Sequence, residues 1–143
     1  MSTRSAQATW TGPLQEGQGK FDLLSSGLGS FEVSFPSRTN DASDGQTSAE
    51  ELLAAALCSC FVMQLSSLIG EAGGSPEEVT ARADVRLSLD PSGGFRIDRI
   101  NLAVSGHAHG VDRRKFGELI KRAKETCPVS KALRGTTIHL ETH

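Results

Sequence analysis

The sequence carries no charge excess that would advertise a polyanionic partner. Its 15 Lys and Arg against 17 Asp and Glu leave a net charge of −2 and a pI near 6.1. The basic residues are scattered rather than gathered in a run, which argues against nucleic acid or an anionic membrane surface as the partner. No basic-plus-apolar segment opens the chain, so no secretory signal is expected. The longest nearly apolar run, Leu52 to Met63, falls short of the ~20 residues that span a bilayer. Cysteine is sparse: three residues, an odd number without metal-type spacing, do not make a secreted disulfide framework. A reducing cytoplasm is the expected location, where cysteines are more often buried or catalytic than cross-linked. The glycine-rich stretches lack phosphate-loop spacing, and no Ser–His–Asp grouping has local support.

What is present suits one domain, residues 1–143, with one core. Three short strand-like segments come first: Gln7 to Gly12, Lys20 to Ser25 and Ser30 to Phe35. Ser37 to Thr47 is polar and reads as a loop. Ser48 and Glu51 match a capping box that opens a helix from about Ala49 to about Ile69, closed by Gly70, Gly73 and Gly74. From Leu52 to Met63 this helix is apolar or small on nearly every face. A surface helix would show one stripe, so this one should be enclosed on several sides. At roughly 1.5 Å per residue it would cross the whole domain, and a chain this small has few layers to surround it. A second subunit is therefore expected to cover part of it.

The clearest strand alternates Val79, Ala81, Ala83, Val85 and Leu87 with polar residues. Pro91 to Gly94 turns it into a return strand bearing Phe95, Ile97, Ile100, Leu102 and Val104, whose phase slips near Asp98-Arg99 as at a β-bulge. Asp112 caps a helix with the stripe Phe116, Leu119, Ile120 and Ala123. Pro128 begins a short helix, and Thr136 to Thr142 is a last strand. This order argues for an α+β fold with antiparallel sheets rather than βαβ units.

The chemistry rests with the thiols. Pro128 suits the first position of a helix, which makes Cys127 its N-cap, beside unpaired N–H groups. That setting lowers a thiol pKa. A small residue tolerated at a turn is the competing reading. Cys60 lies mid-helix, where a buried packing role is the simpler reading; as a reactive thiol it needs a cation from elsewhere. Cys58 points about 200° around the helix from Cys60, so the two make a poor dithiol and Cys58 reads as packing. Glu50 shares roughly the Cys60 face about 15 Å away, a distance that a long Arg such as Arg38 would partly bridge. Stabilising the first helical turn is the commoner use of such a Glu. His107 and His109 share a strand face, the minimal metal pair, with no third ligand evident; no metal site is expected.

These residues resemble the OsmC/Ohr family of osmotically induced and organic-hydroperoxide-resistance proteins. The likeness runs from Ala8-Thr9-Trp10-Thr11-Gly12 through Glu50 to Ala56, Cys60 to Met63 and Gly94-Phe95 to Cys127-Pro128-Val129-Ser130-Lys131-Ala132-Leu133. The Trp10 element and the long hairpin are more similar to the OsmC branch. The resemblance implies an intertwined homodimer, two sheets wrapped around paired central helices. It implies a thiol peroxidase acting on organic hydroperoxides and hydrogen peroxide in oxidative stress defence, without haem, metal or flavin. By position, Cys60 matches the peroxidatic cysteine, Cys127 the resolving one, Arg38 the active-site arginine and Glu50 the carboxylate that orients it. An external dithiol, with a lipoyl-linked one as a candidate, would then reduce the disulfide. A thiol–disulfide oxidoreductase and a non-enzymatic ligand-binding dimer are the alternatives.

Overall fold

The computed structural model describes residues 1–143. The chain folds as two compact units, Met1–Leu52 and Leu53–His143.

In the first unit, β1 (Gln7–Thr11), β2 (Gln18–Asp22) and β3 (Ser30–Val33) form an antiparallel sheet in that order. Phe21 and Phe31, directly opposite in the β2–β3 register, stack with ring centroids 5.2 Å apart, the kind of cross-strand pair that fixes a register. The segment expected to be a loop opens with a short helix instead, α1 (Phe35–Thr39). Ser34 caps it: its hydroxyl accepts from the Ser37 N–H at 3.2 Å, and Ser37 Oγ accepts from the Ser34 N–H at 3.3 Å. Pro36 supplies a preset φ in the first turn. The Ser34 hydroxyl also donates to Gln46 Oε1 at 2.8 Å, tying α1 to the end of the loop.

Helix α2 (Ala49–Glu71) starts in this unit and continues into the second. Half of the expected capping box forms: the Glu51 N–H donates to Ser48 Oγ at 3.2 Å, but the Glu51 carboxylate accepts from the Thr47 hydroxyl rather than reaching back to Ser48.

In the second unit, β4 (Ser75–Leu89) and β5 (Phe95–His109) make a long antiparallel hairpin, turned at Gly93 and Gly94, both at positive φ. The register shifts between Arg86 and Leu87, leaving Asp98 as the extra residue, so the expected bulge is present. A second shift falls at Glu77, a position that no break in the residue alternation marks. Helices α3 (Arg113–Thr126) and α4 (Pro128–Ala132) follow, and β6 (Thr137–Thr142) closes the chain. Strand β6 runs parallel to β5, so this sheet is mixed rather than wholly antiparallel. The α+β class stands.

The core of this unit is where α2 and α3 meet the sheet. Leu57, Phe61, Leu65 and Leu68 of α2 pack with Ile100, Leu102 and Val104 of β5 and with Phe116, Leu119, Ile120 and Ala123 of α3. The α3 stripe is the one its sequence period marks out. Helix α2 is long and apolar enough to cross a membrane, yet this stripe packs as a core helix does. Its other face is less enclosed than its composition predicts: Ala55, Ala56 and Ser59 are exposed, and Met63 is 67 % exposed.

Candidate active site

The expected site residues fall into two couples, one in each unit. In the first unit, α1 carries Arg38 and the first turn of α2 carries Glu50. Arg38 Nε donates to Glu50 Oε1 and Oε2 at 2.9 and 3.1 Å, and Nη2 donates to Oε1 at 2.8 Å. A planar fork on a carboxylate fixes both side chains in direction as well as charge. The bond to Glu50 is the main reason the Arg38 pKa stands above its ordinary value, against the opposing effect of burial. Glu50 is 7 % exposed, so its charge is matched where water is scarce. A mainly apolar cavity of about 500 Å³ adjoins the couple; Arg38 lines it together with Trp10, Phe21, Phe35 and Leu52.

In the second unit, α2 holds Cys60 and the α3–α4 junction holds Cys127, which share one core cluster and lie near enough for each thiol to shift the other's ionisation. All three cysteines are free; Cys127 is fully buried and Cys60 half-buried. Cys127 ends one helix and begins the next. Its N–H donates to Ala123 O at 2.8 Å, closing α3, while its sulfur faces the first N–H groups of α4. No side-chain cap hydrogen bond forms.

The two thiols are shifted in opposite directions. Burial pushes both up. At Cys127 that is outweighed by the Ser130 N–H, by the Cys60 thiol, by the Ser130 hydroxyl and by the Val129 N–H, and the pKa falls below the ordinary thiol value. At Cys60 burial prevails over one contact to the Val129 N–H, and the Cys127 sulfur raises the pKa further. Within this unit, then, Cys127 is the more readily ionised thiol of the two. Cys58 has separate neighbours, Ala83 and Asp84, and burial raises its pKa. It stands apart from the couple, as its angle around the helix requires.

Ser130 gave no signal of a role in the sequence beyond its place in the Cys127-Pro128 stretch. As the third residue of α4 it has both its N–H and its hydroxyl near enough to the Cys127 sulfur to favour the thiolate, without a cap hydrogen bond. His107 and His109 each turn Nε2 to the Glu77 carboxylate that the bulge presents, His107 at 2.6 Å. No three ligand groups are arranged there or elsewhere to hold a metal ion.

The class these features define is an α+β protein with two converging thiols and a separately held arginine–glutamate fork. Residues 41–142 match the family described as OsmC-like protein. The chain is 36% identical over 131 residues to peroxiredoxin OsmC of Escherichia coli, covering 92% of this chain and 90% of that one. It is 32% identical over 112 residues to the organic hydroperoxide resistance protein OhrB of Bacillus subtilis, covering 76% and 77%. Among solved structures, an organic hydroperoxide resistance protein from Elizabethkingia anophelis aligns with a TM-score of 0.78 at 30% identity, over 99% of this chain and 96% of that one. The chain belongs to the OsmC-like family.

Proposed function

We propose that this protein is a thiol-dependent peroxidase that reduces organic hydroperoxides, and hydrogen peroxide, in oxidative stress defence. The named relatives support a peroxide-related role. The observation that carries the specific reading is that Cys60 and Cys127 share the core of the second unit, each within range to shift the other's ionisation.

Cys60, as thiolate, attacks the terminal peroxide oxygen. The O–O bond breaks, the alkoxide leaves and is protonated to alcohol, and Cys60 becomes a sulfenic acid. The Cys127 thiolate then attacks the Cys60 sulfur; an S–S bond forms as the S–O bond breaks, and the hydroxide that leaves takes a proton from solvent to become water. An external dithiol, a lipoyl-linked one being a candidate, takes up the oxidation in turn. Cys60 needs a cation to ionise, because its own surroundings favour the thiol. Arg38, steered by Glu50, is that cation, and it also stabilises the charge developing on the peroxide oxygens. The apolar cavity beside Arg38 supports an alkyl-bearing substrate.

The uncovered face of α2 supports a homodimer in which a second copy lies against Ala55, Ala56 and Met63. In that assembly the whole of 1–143 acts as one domain of an intertwined pair. Three free cysteines in the chain accord with a reducing cytoplasm. The test is turnover of cumene hydroperoxide with a dithiol reductant, run beside a disulfide substrate without peroxide. Peroxide-dependent turnover that Cys60→Ser abolishes is expected. Turnover of the disulfide substrate alone makes the protein an oxidoreductase of another kind.

A further inference from the structure

The chain carries a net charge of −2, yet one concavity of the second unit is strongly cationic. Between α3, α4 and β6 lies a cavity of about 830 Å³ lined by Lys121, Lys124, Lys131 and Arg134, with Glu125 the sole carboxylate. None of these five is ion-paired, whereas Arg38, Arg82, Arg86, Arg114 and Arg122 each hold an acidic partner. Solitary unpaired lysines on a surface are ordinary; four cations converging on one cleft focus a positive field there. The second observation is independent of charge. Ser130 lines the same cavity, is 5 % exposed, and its buried hydroxyl has no oxygen or nitrogen partner in the chain, only the Cys127 sulfur nearby. Buried hydroxyls in native proteins are nearly always satisfied, and a thiol sulfur is a weak acceptor, so a hydroxyl with only that neighbour at a cationic cleft leaves a place for a stronger one.

We propose that this cavity binds a small phosphorylated organic molecule, with its phosphate among the four cations and accepting from the Ser130 hydroxyl. A phosphate dianion offers two charges and several acceptor oxygens to converging donors, where a lone carboxylate offers one charge. The cavity exceeds what a bare ion fills, and Leu133, Ile138 and Leu140 give it an apolar wall for an organic body. Occupancy is coupled to the redox couple through one residue. The Ser130 hydroxyl leans toward the Cys127 sulfur and helps lower its pKa. A phosphate that draws this hydroxyl away and adds negative charge disfavours the Cys127 thiolate, and by reciprocity the thiolate disfavours the phosphate.

Calorimetric titration of the intact, reduced protein at fixed ionic strength tests this, using pyrophosphate, glycerol 3-phosphate and citrate as probes. Saturable binding of both phosphates, one per chain, is expected, with citrate much weaker. Lys124→Glu/Arg134→Glu is expected to weaken binding by about 100-fold, and the milder Lys121→Gln/Lys131→Gln by about ten-fold. Far-ultraviolet circular dichroism checks that both variants fold. Saturating pyrophosphate is expected to move Cys127 thiolate formation, read at 240 nm, to higher pH, and Ser130→Ala to abolish that movement. Absence of saturable binding overturns the proposal, as does equal binding of citrate or undiminished binding in both charge variants. None of these outcomes depends on peroxidase turnover.

Discussion

Cys60 and Cys127 are the same residue type and share one core, yet one is held as a thiol and the other is eased toward thiolate. Burial acts on both in the same sense. What separates them is the backbone. Cys127 stands where α4 begins and its N–H groups are still unspent, so the Ser130 and Val129 amides face its sulfur. Cys60 stands in mid-helix, where the surrounding N–H groups already serve α2, and only Val129, from a different helix, reaches it. A thiol at a helix mouth is activated by its own neighbourhood; a thiol in mid-helix has to be activated by another part of the protein. In the proposed function that part is the Arg38 guanidinium.

Removing one side of this contrast at a time should give graded effects. Cys60→Ser is expected to reduce peroxidase turnover to the uncatalysed rate. Cys127→Ser should consume one equivalent of hydroperoxide and stop, with a sulfenic acid that dimedone traps on Cys60 by mass spectrometry. Sustained turnover in either variant would break the division of labour. Arg38→Met is expected next, with kcat/KM for cumene hydroperoxide falling roughly 10²–10³-fold, the scale for losing one preorganised electrostatic donor. Glu50→Gln, which leaves the guanidinium but loosens its direction, should cost about ten-fold, or about 1.4 kcal/mol. An Arg38 variant with unchanged alkylation of Cys60 across pH would show that the cation acts elsewhere.

Stability and pH sharpen the same contrast. The folded Cys127 pKa is lowered, so its ionisation contributes stability that is full above the ordinary thiol value of about 8.5 and is lost as pH falls through the folded value. Cys60 runs the other way: its raised pKa gives stability that is full below the ordinary value and lost as pH rises through the folded one. Urea midpoints of Cys127→Ser and Cys60→Ser should therefore diverge from wild type in opposite directions as pH is raised from 7 toward 9.5, within about 1 kcal/mol. For α2, Leu65→Ala should cost about 2–5 kcal/mol wherever the chain is dimeric or not. Met63→Glu should cost little in a lone chain, within about 0.5 kcal/mol, but dissociate a dimer built on that face, as light scattering would detect.

Much of this was legible in the order of the residues. The α3 stripe, the Asp98 bulge and the α4 start at Pro128 follow from period and cap chemistry that tertiary packing does not override. Helix α1 was not legible as a helix because Ser37 to Thr47 is polar throughout; its start signal, Ser34 with Ser37 and Pro36, lies just before that stretch and is only one turn long. The parallel pairing of β6 was hidden because a single short strand carries no mark of its direction. The Glu77 bulge was hidden because β4 keeps its alternation only from Val79 onward. Of the site, the separate roles of Cys58 and Cys60 follow from helix angle alone. The meeting of Cys60 and Cys127 joins segments far apart in the chain, and local pattern does not encode such a meeting; the family resemblance is what implied it. The uncovered α2 face teaches the converse: composition marked the helix as enclosed, and the chain by itself encloses one stripe.

The most direct test is to add one equivalent of cumene hydroperoxide to the reduced protein, quench with an alkylating agent and map the peptides. Two thiols should disappear per peroxide, with the peptides of Cys60 and Cys127 joined and Cys58 alkylated. A disulfide that includes Cys58, or peroxide consumed with all three thiols still free, would contradict the two-thiol cycle.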